Sequence, residues 1–590
     1  MTAKQRYVYV SATAGSDADG VSGLTAGAPL QTLTRAAAMY GKNVTMNTTF
    51  RLAAGEVWRE RPTWETDTEY LMIWEPYERS PGDFDLLGKP IVSGGTVMPN
   101  WTEVNGNWWS TDVAVDFNAE VSRRILMMDY QPLLRRDRRV IGTSNPEYTG
   151  EMTPGTLEEG EWGWEQSSGK VWIGSDPTGK VVEMSVRDKC FLMPDARNVK
   201  FDSLQFLCTT GTALSFNSVE GQRRFISVVD MRLVGGFQTM LLGGGDDIAI
   251  RGTEASHGLN TVVSFNDGHA GHILIEDCHF WAPSTWGTGP NGYYDDRTRN
   301  DCLTFHNEGG GVATVRRLIA HGAYENALDI QAGIGDLGGW KRLNIYDSEF
   351  YGSNEYAAVI TAPTTMLRCK LHSSTRGFQI KYDKDTGPTL GPQGSIIDQC
   401  VVLTGDPSYG TVSNAACLHY WGVTGTEEKP VTIARTYMAS HPNSQRTLIQ
   451  LAQQQWTSPP ARPGTGDNLY YSPAGLKFIN CQLHNQANQA VATFGSVSLP
   501  VATTAMQMMN CTVWHETDAN PVLVADTPMT LGAFIRLPGM DTSDIARPTY
   551  FNGANPTTVG EMVNEAQPLQ IALASQGAAP SLMAAASTAA

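Results

Sequence analysis

Short runs of alternating apolar and polar residues recur along this chain, and each contains the same corner. An apolar pair, a small or polar residue and a second apolar pair appear at 275–280, 345–350, 367–371, 478–483 and 509–513. Asp230, Thr253 and Asp277 hold related places, 23 and 24 residues apart. This period is too short for a pair of helices but fits three short strands and three turns. It predicts an all-β fold, a right-handed single-stranded parallel β-helix; an array of antiparallel β-sandwiches is the alternative and explains the spacing poorly.

The corner of the repeated phrase often holds a cysteine. Cys278, Cys369, Cys481 and Cys511 occupy the same place in their phrases, where stacked coils need a small buried residue. The nine cysteines are scattered singly with no CxxC pair, which indicates neither a disulfide framework nor a zinc site. We therefore expect reduced core cysteines and no cofactor.

The first elements differ from the repeats. A strand is predicted at 7–10, and an amphipathic helix begins at Pro29 and runs to Tyr40, with Leu30, Leu33 and Ala37 on the same side as Tyr40. The first coil of a solenoid has an open apolar end, and this helix is placed to cap it.

The repeated strand pattern is regular in some parts of the chain and absent from others, which predicts four regions. Residues 1–120 hold the N-terminal cap and first coils, and 121–190 a small β-hairpin insertion. Residues 191–525 form the main β-helix with a groove and a long 281–301 loop, and 526–590 a C-terminal region with a low-complexity tail.

The opening residues resemble a known group of proteins. A strand at 7–10, Gly-Ser-Asp at 15–17 and Pro-Leu-Gln-Thr-Leu at 29–33 are similar to the opening of pectate-lyase-like right-handed β-helix proteins, which include polysaccharide lyases, glycoside hydrolases and bacteriophage tailspikes. Residues 160–177, rich in Trp and Gly, are similar to the hairpin insertion of several such enzymes. The resemblance covers most of residues 7–520.

The resemblance implies a polysaccharide as the partner, and its tailspike members imply a homotrimer that contacts other tail or baseplate proteins. The formal charge of −17 argues against nucleic acid or anionic lipid as a partner. No apolar signal region opens the chain and no run of 18 residues lacks a polar break, so no membrane insertion is expected. We expect a phage tail protein made in the host cytoplasm, with secretion by a non-classical route as the alternative.

Aligning one strand per coil predicts where chemistry lies. Apolar residues recur at the first and third places of 214–217, 263–266, 303–306, 328–331, 358–361, 378–381 and 418–421, so the second and fourth places point outward. His306, Asp329 and Lys381 then fall within about three strand spacings of roughly 4.8 Å. This polar face is expected to be exposed and to track an extended polymer.

Two reactions suit these residues. Glycoside hydrolysis needs two carboxyl groups, for which Asp329 is the first candidate, with Glu308, Glu325 or Asp301 as its partner. β-Elimination on a uronic acid needs a base, such as Lys381 or His306, and a cation such as Arg376. A non-catalytic β-helix that binds glycan or forms a virion fibre is the third possibility.

The expected sugar-binding residues lie on the same strands and in the 281–301 loop. Aromatic faces can stack on sugar rings, and polar groups can bond the hydroxyls, unless these aromatics only seal the loop onto the solenoid. The candidates are Trp281, Trp286, Tyr293, Tyr294, Arg376, Gln331, His419 and Trp421. Calcium could be held by Asp295, Asp296 and Asp301, but their spacing matches no defined loop, and no metal site is predicted.

Overall fold

The computed structural model describes most of the chain up to residue 529, with gaps. The described residues are 5–41, 44–64, 70–113, 124–135, 155–165, 168–193, 197–216, 225–236, 238–243, 247–258, 260–266, 271–282, 301–306, 311–330, 340–381, 392–405, 416–421, 430–441, 444, 447–452, 454–455, 470–471, 475–485, 492–495, 506–509, 511–515, 522–524 and 527–529. They divide into two compact units, residues 1–304 and 305–590.

The first unit is built from coils of three strands, and each strand pairs in parallel with its counterpart in the next coil. Its first sheet contains Gln5–Val10, Asn47–Ala53, Met72–Tyr77, Asn198–Asp202, Phe225–Val229, Asp247–Arg251 and His272–Glu276. Its second sheet contains Val57–Trp58, Ile91–Ser93, Gln205–Thr209, Arg232–Gly235, Glu254–Ser256 and His279–Trp281. Its third sheet contains Phe191–Leu192, Thr212–Phe216, Gln238–Gly243 and Thr261–Asn266. The strand Asp301–Phe305 spans the division between the units.

The second unit repeats the three-strand coil. Its first sheet contains Val312–Arg316, Arg342–Tyr346, Thr364–Leu367, Ile396–Asp398, Val431–Ala434, Leu476–Ile479 and Met506–Met509. Its second sheet contains Ile319–His321, Glu349–Tyr351, Lys370–Ser374, Val401–Thr404, Tyr437–Ser440, Gln482–Asn485 and Thr512–His515. Its third sheet contains Asn326–Ile330, Tyr356–Ile360, Arg376–Lys381, Leu418–Trp421, Ile449–Ala452, Ala492–Gly495, Val522–Val524 and the antiparallel Thr527–Met529. A separate antiparallel pair joins Gln454–Gln455 to Tyr470–Tyr471.

The predicted N-terminal helix is present at Leu33–Tyr40. Thr32 caps it by accepting a hydrogen bond from the Arg35 amide, and Leu33, Ala36 and Ala37 are buried. A second helix, Asp83–Leu87, is short. Neither described helix has the length and apolar character that crossing a membrane requires.

The predicted insertion is present as two small sheets. One contains Thr102–Val104, Asn107–Ser110, Leu134–Arg135, Glu161–Glu165 and Lys170–Ile173, and the other Gly95–Val97, Leu126–Met128, Gln131–Pro132 and Val182–Ser185. The two share an apolar core that includes Trp162 and Trp164. Because Asn107–Ser110 pairs with Lys170–Ile173, antiparallel structure begins upstream of residue 121.

The repeated phrase is the corner between the first and second sheets. At corners that the structure describes, one residue adopts a left-handed conformation, as Asp277, Asp347 and Asn480 do with φ of 55°, 51° and 54°. The next residue is the small one that the sequence singled out. All nine cysteines are buried and none forms a disulfide, as predicted.

Candidate functional site

The third sheet of the second unit brings the aligned strands together in the predicted register. Asp329 pairs with Val359, Val359 with Gln379, and Gln379 with His419. These four residues form one outward column of the sheet. Their inward-pointing neighbours along the strands, such as Leu328, are fully buried in the core. Alignment from the sequence alone thus predicts the register of these four strands.

The outward column is buried, which corrects the expectation of an exposed polar face. Asp329, Gln379 and His419 are 5%, 4% and 2% exposed. The side chain of Tyr356, from the start of the neighbouring strand, lies over the column and hydrogen-bonds to Gln379 and His419. These residues therefore form an enclosed polar site.

Asp329 and His306 are close together. A carboxylate oxygen of Asp329 lies within 4.8 Å of a ring nitrogen of His306, which directly follows the strand Asp301–Phe305. His306 is half-buried and Asp329 is buried. A carboxylate beside an imidazole can orient the ring and stabilise its charged form, which is the basis of proton transfer near neutral pH.

The other predicted residues of this unit lie at the ends of the same strands. Glu325 precedes Asn326–Ile330, and its carbonyl accepts the backbone N–H groups of Glu355 and Tyr356. Four residues of extended chain, about 13 Å, separate it from Asp329. This spacing is between backbone positions, and the role of Glu325 as the second carboxyl of a glycosidase stays a prediction. Lys381 is half-buried and pairs in register with Trp421.

A hydrogen-bonded cluster joins Arg376 and His419 through Tyr356. Arg376 Nη1 and Gln379 Nε2 donate to the Tyr356 hydroxyl at 2.8 and 3.1 Å. The hydroxyl lies 2.9 Å from His419 Nδ1, and the guanidinium of Arg376 lies 4.8 Å from the centre of the tyrosine ring. Burial raises the pKa of Tyr356 to about 12, against the lowering effect of Arg376, so the phenol keeps its proton.

Tyr356 was missed by the sequence reasoning. It pairs in register with Asn326 on one side and Arg376 on the other, so a row of polar residues marks the starts of these three strands. Aligning the strand starts, as well as their second and fourth places, would have found it.

Trp281 belongs to the first unit, on its second sheet. Its indole N–H donates to Glu254 at 3.4 Å, and its ring meets that of His257 edge to face at 4.6 Å. Asp301 is also placed in the first unit, as the buried first residue of its strand. The indole of Trp281 is engaged by neighbouring side chains.

Several predicted residues lie outside the described part of the chain. They are Trp286, Tyr293, Tyr294, Asp295, Asp296, Glu308 and Gln331, together with the side chain of Trp421. Their roles stay predictions.

Within the second unit, His306 and Asp329 are also close enough to share a metal ion. An imidazole nitrogen with a carboxylate oxygen suits a transition metal better than calcium, which prefers oxygen ligands. Two such groups make an incomplete ligand set.

No protein-family model matches this chain, and no curated protein matches it. Among solved structures it is similar to XylC in complex with xylose, at 12% identity over 88% of this chain and 86% of that one, with a TM-score of 0.41. It is also similar to a glycoside hydrolase, at 10% identity over 89% and 95% with a TM-score of 0.35. It is similar to the pectate lyase Pel9A as well, at 13% identity over 61% of this chain and 82% of that one, with a TM-score of 0.28.

The fold follows from the molecule's own register. Parallel strands recur in the order first, second and third sheet in both units, with left-handed corner residues between the first two sheets. The chain has the parallel β-helix fold that its sequence predicts.

Proposed function

We propose that this protein is an enzyme that cleaves a polysaccharide by acid–base chemistry at the third sheet of its second unit. The observation that carries this proposal is the closeness of the buried Asp329 carboxylate to the His306 imidazole, whose ligand atoms lie within 4.8 Å of each other. Asp329, Gln379 and His419 are polar residues of one outward column, with the apolar Val359 on the strand between Asp329 and Gln379.

Hydrolysis is the first reaction proposed. One carboxyl group protonates the leaving oxygen and the other activates water or attacks the sugar. Asp329 serves as one of the two groups, and Glu308, Glu325 and Asp301 are the sequence candidates for the other.

β-Elimination is the second candidate, and the His306–Asp329 pair also favours it. An imidazole held by a carboxylate can remove the proton beside a uronic acid carboxylate. Arg376 is the sequence candidate for neutralising that substrate carboxylate, although in the sheet register it lies two strands and three residues from Asp329.

The wider assignment is a depolymerase of a bacterial capsule or exopolysaccharide on a phage tail. The formal charge of −17 fits a partner other than nucleic acid or lipid. Its association with tail or baseplate proteins rests on the resemblance of residues 7–33 and 160–177 to tailspike proteins.

The test is incubation of the purified chain with capsular and extracellular polysaccharides, followed by mass analysis of the fragments. Asp329→Asn and His306→Gln are each expected to reduce cleavage at least about 100-fold while polymer binding is kept. Asp347→Asn and His484→Gln, which alter an ion pair and a hydrogen bond elsewhere in the same unit, are the matched controls.

The products separate the candidates. Ultraviolet absorbance from an unsaturated sugar end establishes elimination and overturns hydrolysis. If hydrolysis is found, Asp301→Asn, Glu308→Gln and Glu325→Gln identify the second carboxyl by which of them removes activity. Binding without cleavage by the wild-type chain on every glycan tested would replace the enzyme with a non-catalytic binding β-helix.

A further inference from the structure

A serine, a histidine and a glutamate are joined by hydrogen bonds on the second sheet of the second unit. His372 Nε2 lies 2.6 Å from a carboxylate oxygen of Glu349, and His372 Nδ1 lies 2.9 Å from the Ser373 hydroxyl. The side chains of His372 and Glu349 are 13% and 33% exposed, and Ser373 is exposed at the surface. The cleavage site proposed above, on the third sheet, uses none of these residues.

The chemistry of the three groups fixes the direction of both hydrogen bonds. The bond from His372 is the main cause that lowers the pKa of the Glu349 carboxyl, so Glu349 is ionised at neutral pH and can only accept. Nε2 of the neutral imidazole therefore carries its hydrogen, and Nδ1 is left to accept the hydrogen of the Ser373 hydroxyl. A serine hydroxyl that donates to an imidazole held by a carboxylate is an activated nucleophile.

The backbone of Ser373 is left-handed. Ser373 holds the same corner as Gly322 and Gly352 in the two preceding coils, because the residues before them pair in register on successive strands. The two glycines have φ of 77° and 67°, and Ser373 has a φ of 54°. This conformation is strained for a residue with a Cβ, and such strain gathers at functional sites. A serine thus stands at a corner where glycine is the relaxed choice.

A β-bulge places the serine and the histidine side by side. The strand Lys370–Ser374 shifts its register against the next strand, Val401–Thr404, so that His372 and Ser373 together oppose one residue. Bulges re-aim side chains and are frequent beside active sites. The His372 ring also stacks on the ring of Tyr351, with centres 4.9 Å apart and planes 4° apart, which fixes its orientation.

We propose that Ser373 is the nucleophile of a second catalytic site, which hydrolyses esters, with His372 as its base and Glu349 as the residue that orients the imidazole. The substrate is a small acyl ester on a sugar hydroxyl, a substrate class that rests on the proposed function. An exposed serine suits an acyl group that projects from a large polymer, because the ester reaches the hydroxyl without the polymer entering a cavity.

The reaction balances with water as the only co-reactant. The Ser373 oxygen attacks the ester carbonyl carbon while its proton passes to His372 Nδ1. The bond between this carbon and the sugar oxygen then breaks, and the imidazolium gives the proton to that oxygen. Water releases the acyl group from Ser373 in the same way, so each ester yields one sugar hydroxyl and one carboxylic acid. The Glu349 carboxylate stabilises the imidazolium in both halves.

The nucleophile can be detected without any polysaccharide. The full chain is incubated with diisopropyl fluorophosphate, which modifies activated serines, and the modified peptide is identified by mass spectrometry. Modification of Ser373 is expected in the wild-type chain and should fall at least about tenfold in His372→Gln, because the hydroxyl loses its base. An unmodified Ser373 in the folded wild-type chain overturns the proposal.

Hydrolysis of para-nitrophenyl acetate measures the activity. Ser373→Ala and Ser373→Gly are each expected to reduce kcat/KM at least about 100-fold. The glycine variant should keep the urea midpoint of the wild-type chain or raise it, since glycine relieves the strain of the corner. Its loss of activity therefore does not come from unfolding, and a wild-type rate in Ser373→Gly overturns the proposal.

Ser256→Ala is the matched control. The Ser256 hydroxyl also lies 2.9 Å from Nδ1 of the following histidine, His257. Ser256 is buried, however, and within the part of the chain that the structure describes His257 has no carboxylate partner. This variant should keep both the rate of ester hydrolysis and the modification of Ser373.

The substrate class is tested by release of acetate from O-acetylated polysaccharides. Hydrolysis of the aryl ester without release of acetate from any of them overturns the assignment of a sugar ester. If the wild-type chain releases acetate but cleaves no polysaccharide, the ester site stands and the proposed function fails. If it cleaves polysaccharide but hydrolyses no ester, the ester site alone fails.

Discussion

At several left-handed corners the residue that follows is small and donates a hydrogen bond. The Cys369 thiol donates to the carbonyls of Ile345 and Leu367, both at 3.6 Å. In the preceding coil Ser348 holds the same place, and its hydroxyl donates to the carbonyl of Tyr346 at 2.8 Å. A thiol and a hydroxyl thus serve the same purpose at these two corners.

Cys369→Ser is expected to change the free energy of unfolding by less than about 1 kcal/mol, because the hydroxyl can make the same bonds. Cys369→Leu should cost about 1–3 kcal/mol through overpacking. Urea denaturation followed by circular dichroism measures both variants. Equal midpoints for the two would contradict the size requirement.

His257 should make the first unit sensitive to acid. Burial lowers its pKa from 6.5 to about 3, with the charge of Arg232 adding to the effect. Between these two values the unfolded chain binds a proton that the folded chain does not, so stability falls as the pH drops through this window and is complete above it. The urea midpoint of His257→Gln is expected to fall less between pH 7 and pH 5 than the urea midpoint of the wild-type chain.

His272→Gln is the control for this pH dependence, since His272 lies exposed at the start of a first-sheet strand. It should keep the wild-type dependence. A wild-type dependence in His257→Gln would show that His257 contributes nothing to acid sensitivity.

At the scale of the element, the corner selects its residue by backbone conformation. Asn480 has a φ of 54° between the strands Leu476–Ile479 and Gln482–Asn485. Asn and Asp tolerate this region better than other residues with a Cβ, and β-branched residues tolerate it worst.

Asn480→Val is therefore expected to destabilise the chain by about 1–2 kcal/mol, whereas Asn480→Gly should lie within about 1 kcal/mol of wild type. The urea midpoints of the two variants give the comparison. A valine variant as stable as the glycine variant would mean that the corner carries no conformational requirement.

The alternation of apolar and polar residues predicted some strands of the third sheet and missed one. Their alternation predicted the register of Asp329, Val359, Gln379 and His419 correctly. It missed Gln238–Gly243, which lies between the aligned strands at 212–216 and 261–266, because Met240, Leu241 and Leu242 are all apolar and do not alternate.

For the whole molecule, the resemblance to tailspikes predicts a homotrimer. Sedimentation or light scattering is expected to give three times the mass of a single chain. A single-chain mass that persists at micromolar concentration would refute this expectation and leave the fold unaffected.

The sequence by itself determined the fold class, the capping helix, the buried cysteines and the strand register, because each depends on local conformation or on a pattern that repeats from coil to coil. Only the tertiary structure decided that the outward column is enclosed and that Tyr356 joins Arg376 to His419. Those facts depend on where side chains from separate coils meet. The side chain of Tyr356 reaches residues 20 and 63 positions away, and no spacing along the chain records such a contact.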